Sequence, residues 1–125
     1  MNIPPAHQTL MPYLILNNAE EFISFTQKVF GAKEISKRMR DDADKVMHAE
    51  IMIGGNTIML AEASEQWGTA NANIFIYVPD ADETYKKALA EGAISLMELS
   101  TQGYGRTCGI TDPFGNVWWI TTFLK

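Results

Sequence analysis

"LNNAEE" (residues 16–21) has a counterpart in "VPDADE" (residues 78–83), and this pair decides the fold. Each hexapeptide ends a short apolar run, "MPYLIL" (residues 11–16) in one case and "NIFIYV" (residues 73–78) in the other. Short apolar runs bounded by turn signals read as buried strands. A helical pattern follows each. In the first half Ala19, Phe22, Ile23, Thr26, Val29 and Phe30 share one helical face, Asn18 stands at the cap position and Gly31 is a natural stop. In the second half Asp80 caps, with Glu83 three residues on in the capping-box arrangement. Ala81, Tyr85, Ala88 and Leu89 form the apolar stripe, and Gly92 stops the helix. Gly31-Ala32 is matched by Gly92-Ala93, so the halves repeat at an offset of about 61 to 62 residues.

Three more strands follow each helix. In the first half they cover residues 33–40, 48–53 ("HAEIMI") and 57–62 ("TIMLAE"), with Gly54-Gly55-Asn56 as a tight hairpin signal. Residues 63–72 are polar and small, a linker between the halves. In the second half the strands cover residues 93–98, 106–111 and 117–122, with Asp112-Pro113-Phe114-Gly115 as the last turn. The chain thus reads βαβββ twice. A repeated supersecondary unit constrains the fold more than any single motif. The expected class is α+β: two βαβββ modules, about 8–62 and 73–125, forming a cupped mixed sheet with helices on the outer face, within one domain spanning 1–125.

Composition bounds the function. Apolar residues make up 46% of the 125, enough for a core without a metal or disulfide staple. The net charge of -5 argues against nucleic acid or an anionic membrane as partner, because both need a basic surface. Lys33, Lys37, Arg38 and Arg40 form only a loose basic cluster, read as a solvated helix end or strand edge. Cys108 is the single cysteine, so no internal disulfide forms, and it reads as a small buried hydrophobe. There is no apolar run of membrane-spanning length and no charged-then-apolar leader pattern. A cytoplasmic protein is expected.

In the last strand Trp118 and Trp119 point to opposite faces. The doubled cassette, the "VMHAEIMIGGNTIMLAE" stretch and the "DPFGNVWWITTF" turn and strand resemble the vicinal oxygen chelate superfamily. That group holds glyoxalase I, bleomycin-resistance proteins and extradiol dioxygenases. More narrowly, the stretches are similar to its demethylubiquinone-methyltransferase-like branch. The resemblance implies a cavity and, in the enzymes, four metal ligands on the cavity face, in the first and last strands of each half. Carried over residue by residue, those positions fall on Met11, Met59, Asn73 and Trp119. None is a histidine or carboxylate, and a thioether is a poor match for a hard divalent cation. No metal site and no cofactor are therefore expected. Trp118 then belongs to the core and Trp119 to the cavity, whose wall is expected to comprise Met11, Tyr13, Met59, Asn73, Phe75, Tyr77 and Trp119.

The polar candidates are few. His48 and Glu50 share a strand face, as base and orienter, as ligands of a relocated metal site, or as a plain hydrogen-bonded pair. Arg106 follows Gly103-Tyr104-Gly105, a loop suited to the cavity mouth, where the arginine would fix a ligand carboxylate or phenolate and Tyr104 would act as a lid; the alternative is a surface salt bridge. Glu62 ends the fourth strand, and His7 lies in an N-terminal arm expected to be loose. Two functions follow. One is metal-free binding of a small hydrophobic or aromatic molecule. The other is a lyase, isomerase or dioxygenase working through a relocated metal or metal-free acid–base chemistry on His48, Glu50 or Arg106. Related chains imply a homodimer.

Overall fold

The computed structural model describes residues 1–124. The elements run β1 (Tyr13–Leu16), α1 (Ala19–Phe30), β2 (Lys33–Met39), β3 (Val46–Ile53), β4 (Asn56–Glu62), β5 (Asn73–Tyr77), α2 (Ala81–Ala90), β6 (Ile94–Gln102), β7 (Gly105–Thr111) and β8 (Val117–Thr122). The fold is α+β with two mixed four-stranded sheets, ordered β1-β4-β3-β2 and β5-β8-β7-β6. In each, the first strand runs parallel to the fourth and the other pairs are antiparallel. The contacts define two compact units: residues 1–27 with 31–71, and residues 28–30 with 72–124.

In unit 1 the alternation of β1 buries Leu14 and Leu16 and leaves Tyr13 and Ile15 on the other face. Ile51, Leu60 and Val46 join the buried side. Gly54 and Gly55 both have positive φ, as a two-residue type I′ hairpin requires, and Ile53 pairs with Asn56 directly. β1 starts two residues later than expected, so Met11 precedes the strand, and β3 starts two residues earlier. Asn18 does not cap α1. It sits in the left-handed region (φ 63°) and its side chain makes no cap bond. The Glu62 carboxylate takes that role from β4, accepting from Asn18 N–H (2.9 Å) and Ala19 N–H (3.0 Å). A full negative charge at a helix N-terminus complements the helix dipole better than an amide does.

In unit 2 α2 packs on β6, β7 and β8. The Asp80 carboxylate accepts from Glu83 N–H at 3.2 Å, while the Glu83 side chain pairs with Lys87, so half of the capping box forms. The buried stripe of α2 is Ala81, Thr84 and Ala88; Tyr85 and Leu89 lie toward its margins. β6 runs four residues beyond its expected end, because register shifts let it stay paired with β7 as far as Gln102 opposite Gly105. Trp118 is fully buried and stacks on Phe30, the last residue of α1, at 4.4 Å between centroids. The turn before β8 is organised by buried Asp112. Its carboxylate accepts from Phe114 N–H, Asn116 N–H, Asn116 Nδ2 and Trp118 Nε1, all within 2.8–2.9 Å.

Candidate functional site

The expected site residues divide between the units. In unit 1 the pairing aligns Tyr13, Met59, Glu50 and Ser36 in one row across β1, β4, β3 and β2. Around this row lies a chain of polar contacts. Glu50 accepts from His7 Nε2 on one oxygen (2.8 Å) and from His48 Nε2 on the other (3.0 Å). His48 Nδ1 lies 3.4 Å from Tyr13 Oη. The two imidazoles, His7 foremost, hold the Glu50 carboxyl below the usual carboxylate range.

His7 is thus not on a loose arm. The arm is fastened by Gln8, whose amide exchanges two hydrogen bonds with the Thr57 backbone, and by Thr57 Oγ1 donating to Ala6 O. Met11 Sδ accepts from Gln8 N–H at 3.4 Å. Sequence alone could not pair residues 43 positions apart, and no local signal marks His7 as a partner of Glu50.

Because Glu50 is depressed when folded, its stabilisation is complete above its unfolded value, about pH 4, and is lost as pH falls through the folded value. Glu50→Gln is expected to reduce the loss of stability between pH 5 and pH 2, read by urea unfolding at a series of pH values. An unchanged acid limb would show that the His7–Glu50–His48 chain does not persist in solution.

The same unit holds a cavity of about 460 Å³, within the range of small-molecule sites. Ile15 and Ala61, which pair across β1 and β4, lie on the same sheet face as Tyr13 and form part of its lining. Tyr13, Met47 and Trp67 add apolar surface, and Arg40, Glu62, Ser64 and Gln66 add polar groups. Trp67 is 59% exposed and Tyr13 50%. Trp67 is presented by a tight turn: Ser64 N–H donates to Trp67 O, and Trp67 N–H to Ser64 Oγ. Arg40 lines the cavity and donates from Nη2 to Glu62 O. Trp67, Arg40 and Met47 belong to the cavity without being among the residues expected there. The available signal was a tryptophan inside an otherwise polar linker.

In unit 2 Trp119 and Asn73 meet. The indole Nε1 donates to Asn73 Oδ1 at 2.7 Å. Trp119 lies opposite Gly109, where the ring occupies the space a side chain would take: a Cβ on Gly109 would come within 2.5 Å of it. Phe75 packs edge-on against Tyr77 (5.2 Å) and lies 6.4 Å from Tyr104, and all three are exposed. Arg106 is held by a two-pronged pair with Asp82 of α2 (3.0 and 3.1 Å). The guanidinium keeps the Asp82 carboxyl below its ordinary range. The salt bridge is thus the arrangement Arg106 adopts. Burial pushes the Cys108 thiol up to about 11, which suits a core residue and not a nucleophile.

Among the described residues no group of three or more His, Cys, Asp or Glu is arranged to hold a metal ion, and no helix is long and apolar enough to cross a membrane.

Fold and sequence together place the chain among known proteins. Residues 7–120 match the glyoxalase/bleomycin resistance protein/dioxygenase superfamily, and the chain belongs to it. It is 32% identical over 130 residues to the uncharacterized protein Rv0887c of Mycobacterium tuberculosis, across 94% of this chain and 74% of that one. Among solved structures, TioX from Micromonospora sp. ML1 superposes with a TM-score of 0.76 at 20% identity, covering 94% of this chain and 99% of its own. PA1353 from Pseudomonas aeruginosa gives 0.74 at 26%, covering 94% and 99%. TnmS3 from Streptomyces sp. CB03234, an antibiotic binding protein, gives 0.71 at 13%, covering 99% of each chain.

Proposed function

We propose that this chain binds a small, flat, largely apolar molecule without the help of a metal ion. The observation that carries the reading is the unit 1 cavity, with Tyr13, Trp67 and Met47 turned outward around a space of about 460 Å³. Exposed aromatic rings and methionine grip planar ligands by stacking and by adaptable packing. Phe75, Tyr77 and Tyr104 give unit 2 an aromatic surface of the same kind.

The donor chemistry supports the metal-free part. Met11, Met59, Asn73 and Trp119 offer thioethers, an amide and an indole, which do not suit a hard divalent cation. The amide oxygen of Asn73 is already engaged by Trp119. The antibiotic binding protein TnmS3 has the same fold, which is consistent with a small-molecule binding role. A cytoplasmic homodimer belongs to the same reading, and sedimentation at micromolar concentration tests the dimer.

The test is thermal unfolding of EDTA-dialysed protein against a panel of naphthalene-sized aromatic compounds. A ligand at a hundredfold excess over its Kd contributes about 2.7 kcal/mol, a rise of several degrees in Tm. At least one compound is expected to give this shift, and Trp67→Ala to abolish it. A panel without any shift would contradict the proposal.

A second reading is favoured by the Tyr13–His48–Glu50–His7 chain, in which a carboxylate orients an imidazole beside a phenol. Such a chain can hold and pass a proton, as a lyase or isomerase needs. This reading predicts turnover of a bound compound that disappears in His48→Ala while binding persists.

A further inference from the structure

We propose that the unit 1 cavity selects aromatic anions, with Arg40 as the residue that recognises the charge. This deepens the binding function above and rests on it. Among the described residues Arg40 is the only Lys or Arg in the cavity lining, and it is half-buried beside Tyr13, Met47 and Trp67. Among the described residues its side chain makes one hydrogen bond, to a backbone carbonyl, Glu62 O. Among the described residues no carboxylate lies within ion-pair distance of it.

Two other basic side chains contrast with this. Arg106 is paired through two donors with the Asp82 carboxylate, and Lys37 is shared by Glu20 and Glu34. Glu62 also lines the cavity, and its charge would oppose an anion if it were free. Both of its oxygens are committed to the N-terminus of α1, through Asn18 and Ala19 N–H, where the helix dipole offsets the charge. Asp41, Asp42 and Asp44 follow Arg40 in an exposed turn, where solvent and salt screen them.

The cavity thus has a half-buried guanidinium with donors to spare, set among a tyrosine, a tryptophan and a methionine. A planar fork of N–H groups matches a carboxylate or phenolate, and charge-assisted bonds are the stronger class. The ligand class that fits is an aromatic ring system bearing one acidic oxygen group. The ring stacks against Trp67 and Tyr13 while the acid meets Arg40.

Two probes of equal size isolate the charge: 2-naphthoate and its neutral amide, 2-naphthamide, titrated calorimetrically into the protein at pH 7.5. The naphthoate is expected to bind about tenfold or more tightly than the amide, the worth of a charge-assisted bond. In Arg40→Gln the two should bind alike, at the affinity of the amide. In Trp67→Ala both should weaken. Raising the salt concentration should weaken the naphthoate alone, a readout that needs no variant and holds even if Arg40→Gln folds poorly.

Equal binding of the two probes by the wild-type protein would overturn the anion preference and leave aromatic binding standing. A preference that survives Arg40→Gln would overturn the role of Arg40. Failure of both probes at millimolar concentration would overturn this inference together with the binding reading.

Discussion

Asp112→Ala is expected to remove about 3–5 kcal/mol of folding free energy, the cost of stripping a buried charged acceptor from the groups it satisfies. The carboxylate accepts from two side-chain donors, Trp118 Nε1 and Asn116 Nδ2, and from two backbone N–H groups of the turn. Asp112, Asn116 and Trp118 are all buried, so water cannot replace the lost partner at no cost. For a domain whose whole stability is about 5–15 kcal/mol this approaches unfolding. The urea midpoint should fall steeply with little change in slope. Asp112→Asn keeps the shape but turns one acceptor into a donor facing donors, and should cost less than alanine yet remain clearly destabilising. A loss below about 1 kcal/mol for alanine would contradict the network, because even one orphaned buried donor costs that much.

Gly109→Ala is expected to cost about 1–3 kcal/mol through overpacking, and to move Trp119. The added methyl would stand 2.5 Å from Cζ3 and 2.8 Å from Cε3 of the indole. The ring must leave Gly109, and the Nε1 bond to Asn73 Oδ1 must lengthen or break. The Trp119 indole N–H resonance should shift while that of Trp118, bonded to Asp112, stays in place. An unshifted Trp119 signal with unchanged stability would show that the ring does not rest on Gly109 in solution.

These two residues show how much of the molecule its sequence discloses. The doubled βαβββ order, the Gly31 stop, the Gly54-Gly55 hairpin and the opposite faces of Trp118 and Trp119 all rest on local rules, and all of them hold. The cap of α1 did not follow its local rule, because Asn18 was displaced by a carboxylate 44 residues away. His7 reads as part of a loose arm for the same reason: only the fastening of Gln8 to Thr57 brings it to Glu50. Arg40 reads as part of a solvated cluster, since nothing in its sequence neighbours reveals that it lines a cavity with Tyr13 and Trp67. Propensity and periodicity report on elements. A site is made by the pairing of elements, and pairing is a tertiary fact.

The claim at the centre of this account is that the cavity of unit 1 takes an aromatic ligand without a metal. Calorimetric titration tests it most directly, using EDTA-dialysed protein and the compound that raises Tm most, run once without added cation and once with Zn²⁺ or Ni²⁺. The account predicts one site per chain and the same Kd in both runs. Binding that appears only when the cation is present would contradict it, and would move the superfamily's metal chemistry back into first place for this chain.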